Sequence, residues 1–524
     1  MHTLGQAQET SVLLANGLGG YASVTAAFSV SRCDMGILVA AVKAPNQRIT
    51  LVHRLREQLS VGTEKIYLSS QGFSGKKCQE DGFRYLSAFT MEYVPQWVYQ
   101  YRGVTVKRKL CMDRGKNASA VLYEIENRSE SACTLQIDPF VKLAPKETAL
   151  TERKTVSYAS GVIKDGAYTL YIRTDGSLRK TAATWQNLSY PEDAQDGRPE
   201  QGLCVSCCRI AVSVPAGSKV KKEIVFSAEP NPPDACTILS AYRNHQQQLE
   251  NRCAFEDPIA RQLAVSADAF VSRRDSTGGK TILAGYPLFS DWGRDTMIAL
   301  PGCCLSTGRY EDAKSILRTF LAYEKDGLVP NLFPEGENKP MYNTVDAALL
   351  LIDCIWQYYR RTGDGAFVRE AWPILEHIIA CYRKGTHHSI GMDSDGLIHA
   401  GGGYDQVTWM DVCVNGILPT PRHGKPVEIN AYWYNALRIM DVLATELDLD
   451  KGDYRELSQT VQRSFREKFY MADKGYLKDV LSGTAADEQI RCNQIWALSM
   501  TYTMLTTGGA VGRKLDFLLQ EMNR

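Results

Sequence analysis

Asn231-Pro232-Pro233-Asp234 marks the point where the chain changes its rhythm. Two consecutive prolines cannot continue a ladder or a helix, and Asp is a good helix N-cap, so the four residues read as a break followed by a helix start. Upstream, Val220 to Phe226 has the composition of a last strand. Further back, Val104-Thr105-Val106-Lys107-Arg108-Lys109-Leu110 alternates in polarity, and Ala167-Tyr168-Thr169-Leu170-Tyr171-Ile172 is rich in β-branched and aromatic residues. Turn residues punctuate these runs at Asn127-Arg128-Ser129, Asp165-Gly166 and Asp175-Gly176. Many short strands with frequent turns predict an antiparallel β-sandwich over residues 1–235.

Downstream of the break, a polar helix over 236–256 reads as a linker, and from Asp257 the period becomes helical. Helices are expected near 258–273, 295–306, 309–323, 344–361, 366–384, 430–447, 452–468 and 488–506, with a weaker one near 512–522. The Gly-rich stretch between about 385 and 429 lacks either period but holds Tyr404 and Trp409, as functional loops on a helical scaffold do. The expected fold is thus multidomain α and β, with a helical domain over 257–524.

At 524 residues the chain is too long for one ordinary core. With 60 Lys+Arg against 59 Asp+Glu it lacks the basic excess of an electrostatic nucleic-acid binder. The 15 cysteines are odd in number and scattered, which fits reduced thiols in a cytoplasm better than a disulfide framework. Cys204 and Cys207 form a lone C-x-x-C without a second pair, read as buried strand residues rather than zinc ligands, and His387-His388 reads as a solvated surface pair. No signal peptide or bilayer-length apolar run is evident, and no cofactor, metal or membrane partner is expected. P-loop, dinucleotide, H-E-x-x-H and G-x-S-x-G patterns are absent, which leaves carboxylate chemistry.

Three polar clusters could carry that chemistry. The first, Ser290-Asp291-Trp292-Gly293-Arg294-Asp295-Thr296, sets an aromatic ring beside a guanidinium and carboxylates, a combination that suits a sugar. Its plainer reading is a helix start capped by Asp295 or Thr296. In the second, Tyr342-Asn343-Thr344-Val345-Asp346, Asn343 and Asp346 are spaced like an N-cap with its N3 carboxylate, and a capping role is stronger than a catalytic one. The third runs from Gly401 through Trp409-Met410-Asp411 to Arg422, Lys425 and Glu428. An apolar lining from Trp409 and Met410 would raise the Asp411 pKa, as a general acid needs, although a salt bridge or surface role would serve equally. Glu428, ahead of the aromatic Tyr432-Trp433-Tyr434, could be catalytic, sugar-binding or a favourable first-turn charge.

These stretches resemble a known family. DWGRDTMIALPG at 291–302, GLVPN at 327–331, YNTVDAALLL at 342–351, TWMD at 408–411, GKPVEINAYWYNAL at 424–437 and RCNQIWALS at 491–499 are similar to the amylo-α-1,6-glucosidase domain of glycogen debranching enzymes. NGLGGYAS at 16–23 is similar to the N-terminal domain of the bacterial and archaeal enzymes. The resemblance implies a β-sandwich followed by an (α/α)6 barrel and inverting hydrolysis of α-1,6-linked glucose at the branch stubs of glycogen or a related α-glucan. It implies Arg294 and Asp295 as holders of the terminal glucose and Asp411 as general acid. Trp292, Tyr342, Asn343, Asp346, Trp409 and Lys425 complete the expected sugar-binding set, with Glu428 a candidate base or sugar ligand.

Two departures stand out. Where the family has a Tyr-His pair before Gly-Leu-Leu-Val-Ala, this chain has Arg32-Cys33-Asp34-Met35-Gly36. The family also continues beyond the point where this chain ends, and eight or nine helices fall short of the twelve in six pairs. The barrel is therefore expected to be incomplete at its C-terminal end, without the family's usual base and with impaired activity. Two alternatives remain open: a glycan-binding or regulatory protein with a non-catalytic sugar pocket, and a related (α/α)6 glycosidase such as a trehalase.

Overall fold

The computed structural model describes residues 4–74, 76–334, 339–483 and 485–505. The chain divides into two compact units, one comprising Met1–Gly278 and Leu283–Ser290, the other Gly279–Ile282, Asp291–Pro334 and Asn338–Arg524.

The first unit is built on two antiparallel sheets, of ten and eight strands among the described residues. Gln47–Val61, Cys133–Pro145 and Gln201–Val214 are central in the larger sheet, while Val104–Met112, Ala118–Asn127 and Lys219–Ser227 are central in the smaller. One apolar core between them joins Leu51, Leu55, Leu135 and Ile137 to Trp97, Val106, Leu110 and Val121. The alternation read at 104–110 places Val104, Val106 and Leu110 inward, and Arg108 with them. An inward arginine is tolerable only if paired. Arg108 ion-pairs with Glu57, donates to the Tyr99 hydroxyl at 2.7 Å and lies over the Phe28 ring. Cys204 and Cys207 lie buried on one strand, and burial pushes both thiols up, Cys204 to about 12.

Asp234 caps the helix Ala235–Arg252 by accepting from the Thr237 amide at 2.8 Å. Ala235, Ile238 and Tyr242 of this helix belong to the sandwich core. Both this helix and Pro258–Ala267 belong to the first unit with the sheets. The helical period read over 258–273 stops at Ala267, and Val271–Arg274 is a strand.

In the second unit the longer helices among the described residues are Gly293–Leu300, Tyr310–Ala322, Ala347–Thr362, Gly365–Lys384, Val427–Glu446 and Tyr454–Phe469, close to the expected spans. Gly293–Leu300 is followed by a wider turn over Pro301–Leu305. Val427–Glu446 is buried on nearly every side, with Ile429, Tyr432, Trp433, Leu437 and Met440 all enclosed, as in a helix surrounded by others.

The helix read over 488–506 is not formed. The chain makes the turn Cys492–Ile495 and one short helix, Trp496–Ser499, then becomes extended at Met500. Asn493 and Gln494 are buried, with side chains committed to distant partners, so tertiary bonds outweigh the local apolar spacing. The segment 512–522 lies outside the described residues. No described helix is long and apolar enough to cross a membrane.

Candidate active site

The site is assembled on helix starts. The helix Gly293–Leu300 begins directly after Trp292, which makes an isolated bridge with Leu332. The Gly293 amide donates to the Asn331 carbonyl at 2.9 Å. A Cβ at Gly293 would stand 2.0 Å from the Pro330 carbonyl oxygen, so only glycine allows this approach. GLVPN and DWGRD, separate in sequence, are thereby fastened together, and Arg294 is fixed in the first turn.

Arg294 is buried and gathers the neighbouring segments. Its Nε donates to Asp346 Oδ2 at 2.6 Å, and its other nitrogens reach Asp411 Oδ2 and the Val407 carbonyl, each at 3.4 Å. Asp346 sits at the N-cap of Ala347–Thr362 but makes no side-chain cap bond. Its second oxygen accepts from the Thr344 hydroxyl at 2.5 Å. The capping role read from the sequence is therefore not the one it plays: it orients Arg294. Asp295 is likewise no cap. It lies in the first turn, exposed, and partial desolvation holds its carboxyl above the usual range. Arg294 opposes that rise, while Asp346 and Asp411 add to it.

Asp411 is half-buried, and it pairs with the Arg294 guanidinium, where the sequence reading offered an apolar wall from Trp409 and Met410. The Trp409 ring is 45% exposed, but its Nε1 donates to Asn493 Oδ1 at 2.7 Å. Asn493 in turn donates to Asp479 Oδ1 at 2.7 Å. Asp479 also receives Arg422 Nε at 2.9 Å and Arg491 at 2.5 Å.

Glu428, in the first turn of Val427–Glu446, is 1% exposed, and both its oxygens are taken by Arg422, one of them at 2.6 Å. Burial pushes the Glu428 carboxyl up against the pull of Arg422. Tyr432, one turn further on, feels the charges of Asp346 and Glu428, and burial holds its hydroxyl well above the usual range.

The remaining expected residues are placed as follows. The Tyr342 hydroxyl donates to the Tyr323 carbonyl at 2.9 Å. The side-chain oxygen of Asn343 is buried without a hydrogen-bond partner among the described residues. Lys425 bonds Asp393 and Asp395, both at 2.8 Å, and neither carboxylate belongs to the Arg294 group. Arg294, Asp346 and Asp411 are thus joined directly, with Asp295 coupled to them by charge; Trp409 and Glu428 sit at the two ends of a second network. The residues the sequence reading passed over are Thr344, Asp479, Asn493 and the Val407 carbonyl. Asn493 had a signal in the buried amides of RCNQIWALS, whereas Asp479 had none.

The sequence model of the amylo-alpha-1,6-glucosidase family matches residues 265–515, and that of the glycogen debranching enzyme N-terminal domain matches residues 11–221. The glycogen debranching enzyme of Saccharomyces cerevisiae is 28% identical over 293 residues, covering 41% of this chain and 19% of that enzyme. The match spans about a fifth of that relative's length. Among solved structures, a bacterial glucoamylase complexed with acarbose superposes with a TM-score of 0.52 over 92% of this chain and 71% of that one, at 10% identity. This likeness is one of fold. The two matches lie end to end along most of the sequence, and the chain belongs to the glycogen debranching enzyme family, carrying its N-terminal domain followed by its amylo-alpha-1,6-glucosidase domain.

Proposed function

We propose that this chain is a glycoside hydrolase that removes α-1,6-linked glucose from branch stubs of glycogen or a related α-glucan, on a helical scaffold of (α/α)6 type and with inversion. The observation that carries the reading is the joining of Asp346 and Asp411 through the buried Arg294, beside the exposed carboxylate of Asp295. A rigid guanidinium flanked by carboxylates offers paired donors and acceptors to sugar hydroxyls, and Arg294 and Asp295 hold the terminal glucose in this way. Trp292 offers a ring face to its C–H surfaces, and Trp409 offers one to the neighbouring sugar unit.

Asp411 protonates the leaving oxygen. An inverting scheme places the second carboxyl roughly 6.5–9.5 Å away, across a water on the other face of the ring. Glu428 is not assigned that task, because both of its oxygens are engaged by Arg422 and it is buried. We assign it a positioning role, and we leave Lys425, committed to Asp393 and Asp395, out of the sugar set.

The test is glucose release from a phosphorylase limit dextrin, with trehalose assayed beside it. Release from the dextrin alone is expected. Release from trehalose alone would overturn the substrate assignment, and dextrin binding without release from either would overturn the hydrolase reading.

A further inference from the structure

We propose that the buried chain of bonds from Glu428 through Arg422, Asp479 and Asn493 to the indole nitrogen of Trp409 fixes the Trp409 ring as the platform for the sugar on the leaving-group side of Asp411. The inference deepens the hydrolase reading and rests on it.

Four observations carry it. First, Trp409 presents an exposed face while its only polar atom is tied down. A free surface tryptophan has no need of a buried amide partner, and ring rotation is what that bond removes. Second, the residues behind the ring are enclosed: Asn493, Asp479, Arg422 and Glu428 are each 4% exposed or less. Burying three charges is costly and is tolerated here because each is paired. Glu428 and Asp479 both face Arg422, and Asp479 also faces Arg491. Third, Asn493 spends both ends of its amide, its oxygen on Trp409 and its nitrogen on Asp479, so the Asp479 charge fixes which way the amide points and leaves the oxygen facing the indole. Fourth, Asp411 lies two residues after Trp409 in sequence, and its carboxylate is held from the side of Arg294. A glucose held by Arg294 and Asp295 occupies that side, and the next sugar unit falls to Trp409.

Trp409 is the sugar-touching residue in this account. Asn493, Asp479, Arg422 and Glu428 are positioning residues, acting through it. Their effect belongs in acceptor binding, not in the bond-breaking step at a substrate that has no acceptor sugar.

The experiment compares two substrates, a branched limit dextrin and α-glucosyl fluoride, whose leaving group is a single atom. Asn493→Ala should raise KM for the dextrin by roughly three- to tenfold, the worth of one hydrogen bond, while leaving turnover of the fluoride unchanged. Trp409→Phe, which keeps a ring but has no N–H, should give a similar increase and make Asn493→Ala silent when the two are combined. A parallel readout needs no activity: acrylamide quenching of the Trp409 emission, taken as the difference from Trp409→Phe, should increase in Asn493→Ala. Equal losses on both substrates, or additive effects in the double variant, would overturn the proposal. An inactive wild-type chain would contradict the hydrolase reading, and unchanged quenching in that chain would then overturn the tethering as well.

Discussion

Arg294 Nε and Asp346 Oδ2 meet at 2.6 Å although 52 residues separate them in sequence. The contact joins the starts of two helices, Gly293–Leu300 and Ala347–Thr362, and both partners are buried. Arg294→Ala would leave the Asp346 charge enclosed and unpaired, which typically costs about 3–5 kcal/mol. Arg294→Lys keeps the charge but not the planar fork that reaches Asp346, Asp411 and the Val407 carbonyl together. Urea unfolding should show the alanine variant strongly destabilised and the lysine variant less so. Glucose release by the lysine variant should fall by about 10–100-fold, the value of a charge-assisted bond or two.

Gly293→Ala should be damaging to a lesser degree, without touching a charge. The added methyl group would meet the Pro330 carbonyl oxygen at 2.0 Å, and the Gly293 amide bond to Asn331 would have to give way. Overpacking of this kind costs about 1–3 kcal/mol. Thermal unfolding of the variant should show a lowered midpoint, with sugar binding weakened because Arg294 follows in the same turn.

Asp295 is expected to act in the opposite sense on stability. Its carboxyl titrates above the usual range through desolvation, with Asp346 and Asp411 contributing in the same direction. A raised acid holds its proton in the folded chain at pH values where the unfolded chain has lost it, so its contribution to stability falls as pH rises through that window. At neutral pH the ionised group is a cost. Asp295→Asn should therefore raise the unfolding midpoint at pH 7 while removing dextrin binding. A lowered midpoint would contradict this assignment.

His53 gives the first unit an acid-sensitive point. It is fully buried, with Nδ1 against the Met35 carbonyl at 2.9 Å and Nε2 against the Tyr190 hydroxyl at 2.8 Å. Burial, aided by the charges of Lys142 and Arg54, lowers its pKa to about 3. The unfolded chain takes up a proton near pH 6.5 and the folded chain does not, so stability is present above that value and is lost as pH falls towards 3. The stability difference between the wild type and His53→Gln should narrow by about 2 kcal/mol between pH 7 and pH 5. Chemical denaturation at the two pH values measures it.

The sequence made the sandwich, the helices and the Arg294 cluster legible because each rests on local pattern. The break at Asn231-Pro232-Pro233-Asp234 coincides with a capped helix start, and DWGRD lies where a helix begins. What stayed hidden depends on distance. Asp346 looks like a cap until Arg294 is seen beside it. The apolar spacing in 488–506 mimics a helix, but the side chain of Asn493 belongs to Trp409, 84 residues away. Arg422 and Glu428 are only six residues apart, yet their pairing forms across the start of Val427–Glu446, and neither helical nor strand periodicity signals it.

The most direct test follows the anomeric proton of the released glucose by NMR as the chain acts on a branched limit dextrin. The account predicts that β-glucose appears first, and that Asp411→Asn lowers its release by at least about 10²-fold with the chain still folded. Initial release of α-glucose, or undiminished release by Asp411→Asn, would contradict it.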